Sequence, residues 1–106
     1  MTSKSPTTTE PGWIENEHAG QVLVAEFIEP EALSVAQLAE DIGVTQERIA
    51  SVIAGLRPID AELDLRLGRY FGMSEGFFLR LQDQYELLEA KRAMSGDLDR
   101  IVPRAA

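Results

Sequence analysis

The sequence predicts an all-α fold of five helices, and three observations carry that prediction. Apolar residues recur at helical spacing from Gly20 onward, a capping residue stands at each expected helix start, and no stretch alternates in the manner of a strand. The first helix carries Val22, Leu23, Phe27 and Ile28 at i, i+1, i+5 and i+6, and it must stop before Pro30. The second opens with Ser34-Val35-Ala36-Gln37, a capping box in which Ser34 caps the start and Gln37 reaches back. Its inner face is Val35, Leu38, Ala39 and Ile42, and Gly43 ends it as a left-handed cap. Thr45 caps a third helix with Ile49, Val52 and Ile53 inward, closed at Gly55. After the turn Leu56-Arg57-Pro58-Ile59, Asp60 caps a fourth helix with Leu63, Leu67, Tyr70 and Phe71 inward and Gly72 as its terminator. Ser74 is the expected cap of the fifth, which runs to about Met94.

A length of 106 residues suits one domain with a modest core. We expect a flexible arm over residues 1–17, a helical domain over 18–94 and a short tail over 95–106. The arm is rich in Thr, Ser, Pro and Glu, and Trp13 within it reads either as a lid over a nearby groove or as an anchor for a partner protein. No apolar run approaches the roughly 20 residues that cross a bilayer, and Met1 to Gly12 lack a signal peptide's apolar stretch. With no cysteine there is neither a disulfide framework nor a thiolate metal site, and a reducing, cytoplasmic setting is expected.

The most informative stretch is Val35 to Ile53. Two short helices joined by about three residues must cross steeply if both are to bury their apolar faces. Ala39 supplies the small residue at the crossing, Gly43 the positive backbone angle, Val44 the plug in the turn, and Ile49 the side chain beneath Ala39. Leu38 and Val52 complete the layer. This is the pattern of a helix-turn-helix, although an αα-hairpin used only for packing has similar spacing. In a DNA-binding helix-turn-helix the second helix enters the major groove. Thr45, Gln46, Glu47, Arg48 and Ser51 are then the outward residues: Gln46 suits adenine, Arg48 guanine or phosphate, and Glu47 cytosine. Ser34 and Gln37 suit a phosphate at the start of the preceding helix, and Arg57 suits a second phosphate.

The net charge of −8 runs against that reading, because phosphate neutralisation supplies most nucleic-acid affinity. Its distribution matters more than its sum: residues 1–33 carry a net −5, residues 34–59 a net −1 and residues 60–106 a net −2. Most of the excess precedes the expected DNA-facing segment.

Five blocks then occur in a familiar order: His18-Ala19-Gly20, the Ser34–Gly43 helix, Ile49 to Gly55, Leu65 to Ser74 and Phe77 to Gln82. Together they resemble a HigA-type antitoxin of the Xre/Cro helix-turn-helix superfamily, over about His18 to Met94. The Arg69-Tyr70-Phe71-Gly72 block followed by Phe78-Leu79-Arg80-Leu81-Gln82 is the specific part. The resemblance implies a five-helix, lambda-repressor-like DNA-binding domain. It also implies a protein that dimerises, represses its own operon and neutralises a cognate mRNA-interferase toxin. Several positions depart from the family. Ala19 stands where Pro is usual and Val35 where Gln is common, Ala50 and Ala54 replace a frequent Asn, and Leu56 replaces a basic residue. Glu62 and Asp64 occupy a start that is usually rich in Thr. Each departure is expected to remove a polar DNA-facing group or to add negative charge.

On the fifth helix Phe78, Leu81, Tyr85 and Leu88 form a 3-4-3 stripe beside Phe77, more than a small core needs. Part of it, with Leu79 or Leu87, is expected to pack against a second subunit. No cofactor, metal or enzymatic activity is expected: His18 is the single histidine and reads as packing against or capping the first helix, and no nucleophile pairing or glycine-rich phosphate loop occurs. Three functions stay open: an antitoxin-repressor binding operator DNA and a toxin, a stand-alone regulator without a toxin, and a protein-interaction module that has lost DNA binding. In the first and third, the acidic stretch Glu10 to Glu31 would steer a basic toxin.

Overall fold

The computed structural model describes residues 16–104, and the arm up to residue 15, with Trp13, lies outside the described residues. The chain is all-helical across that span. Helix α1 (Ala19–Val22) continues without a break into a π-helical segment, Leu23–Ile28. Helices α2 (Val35–Ile42), α3 (Gln46–Ile53), α4 (Ala61–Phe71) and α5 (Phe77–Met94) follow, and a single 3-10 turn, Asp97–Arg100, ends the order. Among the described residues, no helix is long and apolar enough to cross a membrane.

The π-helical segment explains the i, i+5 spacing of its apolar residues. A turn closed by i to i−5 bonds, such as Glu29 N–H to Val24 O at 2.9 Å, brings residues five apart onto one face. Leu23 and Ile28, five apart, are both buried. His18 caps α1, one of the two roles expected of it, and Gln21 completes a capping box around it. His18 Nδ1 accepts from the Gly20 and Gln21 amides, and Gln21 Oε1 accepts from the His18 amide.

One core joins all five helices, with Leu23, Leu38, Ile49, Ile59, Leu63, Leu67 and Phe78 all but fully buried. Burying each such side chain contributes about 2 kcal/mol. Helices α1 and α3 cross at backbone contact: a Cβ added to Gly20 would lie 2.0 Å from the Val52 carbonyl oxygen. Phe27 from the π-helical segment meets Phe71, Phe77 and Phe78 at ring-centroid distances of 5.1, 6.0 and 5.2 Å, closing the core at the α4–α5 end.

Four expectations are corrected. Ser34 caps α2 by accepting from the Gln37 amide, but the Gln37 side chain turns to Asp41 (2.7 Å), so only half of a capping box forms. Tyr70 does not face inward. It is 39% exposed, and its hydroxyl donates to Asp41 at 2.7 Å, because a phenol needs a polar partner that the core lacks. Ser74 does not cap α5: Gly76 is at the cap in a left-handed conformation, and the first amides of the helix donate to the buried Asp64 carboxylate. Phe78 lies wholly within the core, so of the expected stripe only Leu81, Tyr85 and Leu88, each half-buried, retain surface for a partner.

Candidate nucleic-acid interface

The turn between α2 and α3 is built from the residues its geometry demands. Gly43 adopts φ 78°, ψ 35°, a left-handed cap open to glycine, and its amide donates to Ala39 and Glu40. The Val44 amide also donates to Ala39, and Ile49 is buried completely. From α4, Arg66 Nη1 donates to the Ile42 carbonyl at 2.7 Å, placing a cation on the C-terminus of α2. Arg66 is steadied by Glu62 one turn earlier (3.0 Å). Glu62 therefore belongs to an exposed ion pair on α4.

Thr45 Oγ1 accepts from the Arg48 amide and starts α3. With Ile49 and Val52 inward, the helix presents Gln46, Glu47, Ala50 and Ala54 to solvent. Ser51 is half-buried, and its hydroxyl donates to the Arg48 carbonyl at 2.9 Å. Ala50 and Ala54, expected from the resemblance to take the place of polar DNA-facing groups, stand on this exposed side.

Arg48 departs from expectation. Its side chain is only 14% exposed and is folded back from the outward face, with Nη1 donating to the Pro58 carbonyl (3.2 Å) and Nη2 against Asp60 (3.2 Å). The sequence hides this because both partners lie ten or more residues away, in the connection to α4. Asp60 also caps α4 by accepting from the Leu63 amide. That amide first, and the Arg48 guanidinium after it, hold the Asp60 carboxyl below its ordinary value.

The α3–α4 connection is strapped from both sides. Arg48 holds Pro58 and Asp60, while Gln82 of α5 accepts from the Ile59 amide (2.6 Å) and donates to the Ile59 carbonyl (2.9 Å). The Leu56 and Arg57 amides both donate to Ser51. The exposed tip, Leu56-Arg57, is thus presented on a braced loop beside the end of α3, and the Arg57 side chain has no hydrogen-bond or ion-pair partner among the described residues. Ser34 and Gln37 lie on the exposed start of α2. The Ser34 hydroxyl accepts from the Gln37 amide and keeps its own proton for donation.

Asp64, read from sequence as an added negative charge facing DNA, does not face outward. It is 1% exposed and accepts from the amides of Gly76 (2.7 Å), Phe78 (2.8 Å) and Leu79 (3.1 Å). Its partners lie 12 to 15 residues further along the chain, and Ser74 stood in the sequence as the expected cap, so no local pattern announced this role.

The chain is 36% identical over 75 residues to virulence-associated protein I of Dichelobacter nodosus, a span covering 71% of this chain and 69% of that protein. Its fold matches the solved antitoxin HigA of Pseudomonas aeruginosa with the higBA promoter. The TM-score is 0.77, at 32% identity over 86% of this chain and 100% of that one. The chain belongs to the HigA family of helix-turn-helix antitoxins. A HigA-family addiction module antidote protein from Coxiella burnetii matches with a TM-score of 0.78 and 28% identity, over 86% of this chain and 100% of that one. No protein-family model matches the chain. HigA proteins are antitoxins and regulators, not enzymes. The blocks that carried the HigA resemblance are structural joints here. His18 caps α1, Gly20 permits the α1–α3 contact, Gly72 is a left-handed cap at φ 75°, and Phe77 and Phe78 join the aromatic cluster.

Proposed function

We propose that the protein is an antitoxin-repressor that binds operator DNA upstream of its own gene through α3 and neutralises a cognate mRNA-interferase toxin. The observation that carries this reading is the outward face of α3 beside the braced Arg57. In it, Gln46, Glu47 and Ala50 stand exposed on a helix capped by Thr45, in a chain 32% identical to a promoter-associated HigA. Gln46 and Glu47 meet base edges. Ser34, Gln37 and the start of α2 meet one phosphate and Arg57 another, while Thr45 and Ser51 shape α3 and border the groove. Arg48 serves from behind, holding the loop that presents Arg57.

The protein acts in the cytoplasm as a homodimer, so that two copies of α3 address one duplex about one turn apart. Leu87 (61% exposed), Ile101 (65%) and Val102 (83%) support this, since they leave an apolar surface at the far end of α5 and beyond it. The toxin is a basic protein. Between Asn16 and Glu47 the chain has seven acids and no lysine or arginine, a surface that speeds encounter with positive charge.

Fluorescence anisotropy against the promoter duplex at several salt concentrations, with scrambled DNA as control, tests the DNA reading. Promoter preference that weakens with salt is expected, with the log–log slope reduced in magnitude by about 0.9 in Arg57→Ala. No preference up to micromolar protein would leave an interaction module without DNA binding. A small basic ribonuclease encoded beside this gene is expected, and its absence would leave a stand-alone regulator.

A further inference from the structure

Resting on the reading of α3 as the DNA-facing helix, we propose that Glu47 is the principal specificity determinant of the protein. It selects a cytosine in each half-site, and does so by penalising the other bases.

Arg48 is withdrawn from the outward face of α3. Once its guanidinium is engaged by Pro58 and Asp60, the outward face of α3 carries one formal charge, and that charge is negative. The neighbours of Glu47 one helical turn away are Gly43, Val44, Ala50 and Ser51, none able to compensate it. Its carboxylate has no hydrogen-bond or ion-pair partner among the described residues, and the side chain is exposed in the first turn of an eight-residue helix. Its neighbours on the outward face, Gln46, Ala50 and Ala54, are uncharged.

An ionised carboxylate only accepts hydrogen bonds. In the major groove guanine offers two acceptors, thymine an acceptor and a methyl group, and adenine an acceptor beside its donor, whereas cytosine offers its N4 donor alone. Pressed against any edge but cytosine, the Glu47 carboxylate loses water and faces acceptors with no cation nearby. The charge that weakens binding to DNA in general therefore separates cytosine from the alternatives. Ala50 and Ala54 add no competing polar contact, and suit a thymine methyl on the same face.

The test is selection from a randomised duplex library with the full chain, followed by anisotropy on single-base variants, for the wild type, Glu47→Gln and Glu47→Ala. The wild type should prefer cytosine at one position per half-site by roughly 5- to 150-fold. Glu47→Gln should move that preference to adenine, and Glu47→Ala should flatten it while scrambled-DNA affinity rises in both. A motif identical in wild type and both variants overturns the proposal, as does a uniform change in affinity with no change in base preference. Enrichment of no motif by the wild type would instead overturn the DNA-binding reading beneath it.

Discussion

At the α4–α5 joint the Asp64 carboxylate is enclosed and accepts three backbone amides, while on α3 the Glu47 carboxylate stands in solvent with no partner among the described residues. The two residues carry the same chemical group, and position decides the use. A buried carboxylate is tolerated only when its lone pairs are filled, and once filled it fixes where the next helix begins. An exposed carboxylate adds little to folding and keeps its hydrogen-bonding capacity for something else. Arg48 and Arg57 repeat the contrast among the cations: one is tied to Asp60 and Pro58, the other is held out on a braced loop. Groups consumed within the fold set the geometry of the groups left over, and the latter are the candidates for recognition.

The contrast is broken most severely at its inner pole. Asp64→Ala leaves three amides at the start of α5 without an acceptor and should cost at least about 3 kcal/mol by urea denaturation, at about 1–3 for each unpaired group. Gly20→Ala forces a methyl group against the Val52 carbonyl and should cost about 3 kcal/mol in the same assay. Arg48→Ala should cost about 1 kcal/mol, modest because Asp60 is largely exposed, and should weaken promoter binding without changing base preference. A changed base preference in that variant would restore Arg48 to the reading face.

Asp60→Asn keeps the α4 cap and removes the charge, which makes it a probe of pH. Because the folded-state carboxyl is held below its ordinary value of 3.8, its stabilisation is present above that value and is lost as pH falls through the depressed one. The stability gap between wild type and Asp60→Asn should be constant between about pH 5 and 7 and should close on acidification below about pH 4. Glu47→Gln should be the mildest change to the fold, within about 0.5 kcal/mol of wild type.

How much of this was legible follows from range along the chain. The caps Ser34, Thr45 and Asp60 and the terminators Gly43 and Gly72 act on residues three or four positions away, so short motifs revealed them. The buried faces of α2, α3 and α4 followed from periodicity for the same reason. Arg48, Asp64 and Gln82 find their partners at separations of 10 to 23 residues, and no local pattern announces them. Tyr70 was misplaced because periodicity weighs its ring and ignores its hydroxyl, which seeks Asp41. Phe78 fell into a 3-4-3 stripe that mixes core with surface, and only packing against Phe27 separates the two. The candidate recognition residues Gln46 and Glu47 were legible as outward positions; that Arg48 had left their company was not.

The most direct test of the central claim is a titration of isotopically labelled full-length protein with its own promoter duplex, followed by amide chemical shifts. The largest changes are expected at Thr45, Gln46, Glu47, Ala50, Ser51 and Arg57, with the amides of Gly76, Phe78 and Leu79 unmoved on the Asp64 carboxylate. Changes centred on α1 or the far end of α5, with α3 silent, would contradict that claim.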